Sequence, residues 1–134
     1  LQLDEEFRVS LSSIPLEKRI LVSCEGAFSY LAKDYGLKEA YLWPVNAESQ
    51  VTPKRMANLI VKINKSKVPT IFCETTVSSR AQLEVAKATG VAFGGNFFVD
   101  SLSSSEGPAS TLLDLQRYNL ELIKKGLASE TPHK

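Results

Sequence analysis

The chain has 134 residues, of which 43% are hydrophobic, and its formal net charge at pH 7 is +1. This length and hydrophobic content predict one domain with one core, and no apolar run approaches the roughly 20 residues of a membrane-spanning helix. The near-neutral charge lacks the basic excess that nucleic acid or an anionic membrane surface attracts, so we expect no nucleic-acid partner.

The chain opens with a predicted helix. Leu3, Phe7 and Leu11 recur at four-residue intervals and form one apolar stripe, which predicts a helix over residues 1–12. Pro15 is incompatible with a continuing helix, so the helix ends before that residue.

Strand and helix signals then alternate along the chain. Residues 19–24 form a β-rich run without polar alternation, as expected of a strand that is covered on both faces. Residues 27–35 have helical character and end at Gly36, a natural C-cap, and residues 40–44 predict a second strand. The later predicted segments are, in order, helix 52–65, strand 68–73, helix 78–89, a strand region at 90–93 that continues at 97–100, and helix 112–126.

This alternation predicts an α/β fold. Crossover helices of about ten residues between strands indicate a four-stranded parallel sheet with helices on both faces. Ligands of such sheets bind at the carboxyl ends of the strands. The residues that follow the predicted strands are Glu25, 44–46, Glu74 and Asp100.

Glu25 and Asp100 each follow an apolar strand. A carboxylate at that place, beside a helix N-terminus, is favoured electrostatically even without any function. Two carboxylates that converge on one sheet edge make either half of a site for a hard cation or an acid/base pair. The residues alone do not choose between these two kinds of site.

Five other residues have a structural interpretation beside a functional one. Glu74 either orients a metal ligand or forms a helix cap or salt bridge, and Trp43 either covers a cleft or belongs to the core. Cys24 and Cys73 lack metal-finger spacing; each ends a strand, where a buried thiol is expected, and a disulfide between them is left open. His133, the only histidine, lies in a polar tail and is not expected to be a ligand.

The chain resembles a known family over nearly its whole length. Its segments are similar, in order, to those of the C-terminal lobe of manganese- and iron-binding solute-binding proteins of ABC importers, which belong to the zinc-type family. The similar segments are residues 23–36, 40–46, 69–77, 98–102 and 112–127.

In that family two lobes are joined by one long helix and hold the metal ion between them. Two histidines come from the first lobe, and a glutamate and an aspartate come from the second. The resemblance implies that residues 1–13 are the end of the interlobe helix and residues 14–134 the C-terminal lobe. It also implies that Glu25 and Asp100 are metal ligands, and that an N-terminal lobe supplies two histidines that this sequence does not contain.

The resemblance further implies the cargo and its destination. Zinc-specific relatives typically have a histidine where this sequence has Glu25, so a site of two imidazoles and two carboxylates favours Mn²⁺, with Fe²⁺ or Zn²⁺ as alternatives. We expect a periplasmic or membrane-anchored extracytoplasmic protein, without a signal in this chain, that delivers the ion to an ABC permease. No metal is expected to bind tightly to the isolated lobe.

Two other functions compete with metal capture. A small-molecule enzyme on a flavodoxin-like sheet would use Glu25 and Asp100 as an acid/base pair, but the sequence has no phosphate loop, no nucleophile elbow and no histidine near a strand end. A receiver-type signalling module needs an acidic cluster early in the chain and a lysine late in it, which have no counterparts at these strand ends. Together with the resemblance, this favours a metal-binding transport protein and no enzyme.

Overall fold

A computed structural model describes residues 2–26, 28–44, 51–75, 77–98 and 112–128 of the chain. Within these ranges the elements follow the predicted order: α1 (Gln2–Ser12), a 3₁₀ turn (Leu16–Lys18), β1 (Ile20–Gly26), α2 (Ser29–Asp34), β2 (Lys38–Pro44), α3 (Pro53–Asn64), β3 (Thr70–Glu74), α4 (Arg80–Thr89), β4 (Ala92–Phe97) and α5 (Leu112–Leu127). None of the described helices combines the length and the apolar character needed to cross a membrane.

Local sequence signals set the ends of two helices. Thr52 caps α3, because its side-chain oxygen accepts a hydrogen bond of 3.1 Å from the backbone N–H of Arg55, and Pro53 occupies the first turn. α4 ends at Gly90, which adopts a left-handed φ of 84° that costs little without a Cβ.

The strands pair in parallel, as predicted, but they form two two-stranded sheets instead of one four-stranded ladder. β1 pairs with β2, and β3 pairs with β4 with a register shift between Ile71 and Cys73. The last strand runs through Gly94 and Gly95, which lie where its register against β3 shifts. The parallel α/β architecture is therefore confirmed, whereas the single ladder is replaced by two.

β1 and β3 lie side by side, and side chains link them. Cys24 and Cys73 form a disulfide with their Cα atoms 4.8 Å apart, which matches the spacing of neighbouring strands in a sheet. The carboxylate of Glu74 accepts hydrogen bonds from the backbone N–H groups of Cys24 and Glu25. The resulting strand order is β2–β1–β3–β4, with the carboxyl ends of β1 and β3 together.

The core is one cluster of buried apolar side chains between the strands and the helices. α3 packs against β2 and α4, α4 packs against β3 and β4, and α5 packs against β3, β4 and α1. α5 approaches β3 closely at Gly126, where an added Cβ would lie 2.7 Å from Cζ of Phe72. Thr70 Oγ1 donates a hydrogen bond of 2.9 Å to the Gly126 carbonyl oxygen, which fixes this contact.

Removing the disulfide is expected to destabilise the chain. The double variant Cys24→Ala/Cys73→Ala should lose about 2–4 kcal/mol of unfolding free energy, because a cross-link restricts the unfolded chain. The two cysteines are 49 residues apart in sequence, so the closed loop is long. Chemical denaturation measures the difference, and reduced wild-type protein is the matched control since it lacks the same bond. Equal midpoints for the oxidised protein and the double variant would contradict the prediction.

Candidate metal site

Glu25 lies near the carboxyl end of β1, opposite Trp43 of β2, and is half-buried. Its backbone N–H donates to Oε1 of Glu74 at 2.8 Å, and its carbonyl oxygen accepts a hydrogen bond of 2.9 Å from Oγ of Ser23. Side chains therefore hold both backbone polar groups of Glu25. This leaves its carboxylate as the part of the residue that is available to a ligand.

Asp100, the other predicted ligand, lies outside the described residues, so its approach to Glu25 stays a prediction. The structure does describe residues within three positions of each predicted ligand. The ring of Phe28, which follows β1, packs edge-on against the ring of Phe97 at the end of β4, with centroids 5.1 Å apart. The end of β4 is also tied to β3, because the N–H of Thr75 donates to the Phe97 carbonyl oxygen at 2.9 Å. The described residues thus bring the chain after β1 close to the end of β4.

Asn119 of α5 holds the backbone just beyond β4. Its Oδ1 accepts a hydrogen bond of 3.0 Å from the N–H of Phe98, and its Nδ2 donates one of 2.8 Å to the carbonyl oxygen of the same residue. The ring of Tyr118 packs edge-on against Phe98 at 5.1 Å. α5 therefore anchors the strand end that leads toward Asp100.

Glu74 is buried at the end of β3, with 1% of its surface exposed. Its Oε2 accepts from the N–H of Cys24 at 2.9 Å, and its Oε1 accepts from the N–H of Glu25. Burial raises the pKa of Glu74 to about 7. The two backbone hydrogen bonds lower this pKa, whereas the negative charges of the Glu25 and Glu39 carboxylates raise it. Each oxygen faces an N–H donor, an arrangement that suits an ionised carboxylate, which only accepts hydrogen bonds.

One group of metal-ligating side chains occurs among the described residues: Cys24, Cys73 and Glu74, whose ligand atoms lie within 4.8 Å of one another. The two sulfurs are bonded to each other. Because the thiolate is the form of cysteine that binds metals, a disulfide disqualifies this group as a metal site. The disulfide between Cys24 and Cys73, which the sequence left open, is therefore present. Within this group Glu74 acts as a hydrogen-bond acceptor. His133 lies outside the described residues.

Sequence reasoning missed Ser23 and Asn119. Ser23 is a polar residue within an otherwise apolar strand, and that interruption was the available signal. Asn119 is a poor helix former in the middle of a helix, a placement that indicates a side-chain function. Trp43 has 2% of its surface exposed, so its interpretation as a core residue is confirmed.

The chain is similar to proteins of metal uptake. The family model described as "ZnuA: Zinc-uptake complex component A periplasmic" matches residues 1–126. The iron-binding protein YfeA of Yersinia pestis is 48% identical over 124 residues, which are 92% of this chain and 40% of the relative. The manganese ABC transporter substrate-binding lipoprotein PsaA of Streptococcus mitis is 35% identical over 127 residues, or 95% of this chain and 41% of the relative. The chain thus spans about two fifths of the length of these relatives.

Solved structures show the same fold. A manganese-bound variant of a periplasmic metal-binding protein from Candidatus Liberibacter asiaticus aligns with a TM-score of 0.87 and 38% identity, over 94% of this chain and 47% of that one. A cadmium-bound form of that protein aligns with a TM-score of 0.85 and 37% identity, again over 94% of this chain and 47% of that one. The matched family is a transport component, which confirms the prediction that the chain is not an enzyme. The chain belongs to the ZnuA family of periplasmic zinc-uptake components.

Proposed function

We propose that this chain is the C-terminal lobe of a solute-binding protein that captures a divalent metal ion, Mn²⁺ foremost, and delivers it to an ABC importer. Residues 1–13 end the interlobe helix, and residues 14–134 form the lobe. The observation that carries the proposal is the placement of Glu25. Its backbone is fixed at the carboxyl end of β1, in a fold that aligns with a manganese-bound protein at a TM-score of 0.87.

Glu25 and Asp100 are the metal ligands in this proposal. Support comes from the contact between Phe28, three residues after Glu25, and Phe97, three residues before Asp100. An extended residue spans about 3.3–3.6 Å, so three residues correspond to about 10 Å of chain. Within that reach the two carboxylates can approach one ion, and we propose that they lie within about 10 Å of each other, as two ligands of one cation require.

The two strand pairs serve in this proposal as one four-stranded platform with the ligands along its carboxyl edge. The disulfide and the carboxylate of Glu74 join β1 to β3 at the level of Glu25. A rigid edge matters because a metal site loses affinity when its ligands drift by a fraction of an ångström from their coordinating positions.

Mn²⁺ is the proposed cargo because of the donor set. Two carboxylates from this lobe and two imidazoles from an N-terminal lobe make a mixed oxygen and nitrogen site, and carboxylate ligands suit Mn²⁺. Fe²⁺ and Zn²⁺ compete for the same donors, since imidazole suits both. The relatives named for iron and for manganese are compatible with this donor set.

Capture and release follow from the position of the site between two lobes. Closing the lobes excludes water, which lowers the effective dielectric constant and strengthens the attraction between the ion and the carboxylates. Docking on the ABC permease separates the lobes and withdraws the two histidines, which weakens binding and frees the ion. This takes place outside the cytoplasm, with the protein either periplasmic or anchored to the membrane.

The proposal is tested with the two-lobed protein that contains this chain. After removal of bound metal by a chelator, calorimetric titration should give one tightly bound Mn²⁺ per molecule. Thermal unfolding should shift upward, since a ligand at about 100 times its dissociation constant adds about 2.7 kcal/mol of stability. Mg²⁺ at the same concentration is the control, because it retains its water shell and suits an all-oxygen site. Failure to bind Mn²⁺, Fe²⁺ and Zn²⁺ alike would refute metal capture.

A further inference from the structure

Glu74 links β3 to β1, and one of its two hydrogen bonds is made to Glu25 itself. It lies at the end of β3, almost wholly buried, and both of its oxygens are engaged by the backbone of β1. The two donors are consecutive residues, Cys24 and Glu25. Successive N–H groups of a regular strand point to opposite sides, so their convergence on one carboxylate defines a local backbone shape at Glu25.

The carboxylate of Glu74 takes the place of backbone hydrogen bonds between β1 and β3. β1 pairs with β2 on one side, while toward β3 the described strands share no ladder. The links from β3 to this part of β1 are the disulfide and the two hydrogen bonds of Glu74. The disulfide fixes the position of Cys24, whereas the bond from Oε1 of Glu74 acts on Glu25 itself.

We propose that Glu74 is a positioning residue, which fixes the backbone of Glu25 and thereby sets the direction of the Glu25 carboxylate toward the metal ion. The inference rests on the proposed role of Glu25 as a ligand. Residues that orient metal ligands typically contribute about 10–100-fold to metal affinity, and a buried acceptor of two N–H groups is well suited to that task. Ser23 also restrains the backbone of Glu25, because its hydroxyl donates a hydrogen bond to the Glu25 carbonyl oxygen.

The decisive variant is Glu74→Gln in the two-lobed protein. Glutamine has nearly the same size, but only its oxygen accepts hydrogen bonds, whereas its NH₂ group donates them. One of the two backbone N–H groups would therefore face another donor and lose its hydrogen bond. We expect Mn²⁺ affinity to fall by about 10–100-fold. Backbone hydrogen exchange at Glu25, followed by NMR, should become faster in the metal-free protein.

Gln82→Leu is the matched control. Gln82 is fully buried, and its Nε2 donates a hydrogen bond of 2.7 Å to the carbonyl oxygen of Phe72, which is also on β3, so this bond is not made to β1. The variant loses one buried hydrogen bond between a side chain and the backbone, so it should have a lower unfolding temperature. Its Mn²⁺ affinity should stay within about twofold of the wild-type value.

Ser23→Ala is the second test variant if Glu74→Gln folds poorly. It releases the Glu25 carbonyl oxygen without changing any charge, and it should also weaken Mn²⁺ binding.

Three results would overturn the positioning role. Wild-type Mn²⁺ affinity in Glu74→Gln, beside a strong loss in Glu25→Ala, removes the role of Glu74 and leaves the proposed function intact. Weakened binding with unchanged hydrogen exchange at Glu25 shows that Glu74 acts through its charge instead. Wild-type affinity in Glu25→Ala removes the ligand assignment and the positioning role together.

Discussion

Replacing Glu25 by alanine in the two-lobed protein should weaken Mn²⁺ binding by more than about 100-fold, since even the outer partners of metal ligands contribute about 10–100-fold. The metal-free protein should keep nearly its full stability. The hydrogen bonds at this position are made by the backbone of Glu25, which alanine retains. Two carboxylates that face an empty site also repel each other, so removing one relieves an unfavourable interaction. Asp100→Ala should behave in the same way.

Glu17→Ala is the control for the change in charge. Glu17 is exposed in the short 3₁₀ turn before β1, at the opposite end of the strand from Glu25. The variant removes one negative charge without touching the proposed site, so its Mn²⁺ titration should match that of the wild type. Wild-type affinity in Glu25→Ala would show that the ligand was assigned to the wrong residue. A large fall in the unfolding temperature of metal-free Glu25→Ala would show that its side chain serves the fold.

The element order was predictable because its signals are local. Pro15 after the first helix, the apolar run before Cys24, and Gly36 after the second helix each act within a few residues. The last strand, predicted to begin at residues 90–93 and to continue at 97–100, is Ala92–Phe97, and its register against β3 shifts at Gly94 and Gly95. The sequence does not reveal why Gly94 lacks a side chain: an added Cβ would lie 2.4 Å from Cε1 of Phe72, so the two strands pack closely there.

The candidate site was predictable only in part, because its supports come from residues distant in sequence. Glu25 follows from the rule that ligands bind at the carboxyl ends of parallel strands. Its partner Glu74 is 49 residues further along the chain, and sequence reasoning could place it at a strand end but not against a particular N–H group. The link between β1 and β3 through a disulfide and a carboxylate depends on which strands become neighbours. Strand order of that kind is a property of the whole fold.

This chain, produced without the rest of the protein, should fold. Its buried side chains form one cluster to which all four strands contribute, and the disulfide lies within the same chain. Circular dichroism of the isolated chain should show a cooperative thermal transition with the signature of an α/β protein. A gradual, non-cooperative melt would mean that the lobe depends on its neighbour for stability.

The folded chain alone should nevertheless bind Mn²⁺ poorly, with a dissociation constant on the order of 1 mM or weaker, as for weak carboxylate sites. Two carboxylates leave the ion mostly hydrated, because both imidazoles and the shielding from water come, in our proposal, from the N-terminal lobe. Without that shielding each carboxylate attracts the ion through a high effective dielectric constant and gains little. A ligand well below its dissociation constant adds almost nothing to stability, so thermal scans with and without about 0.1 mM Mn²⁺ should coincide. The two-lobed protein, scanned at the same metal concentration, should show a large upward shift. A comparable shift in the isolated monomeric chain would mean that this lobe alone contains a metal site beyond Glu25 and Asp100.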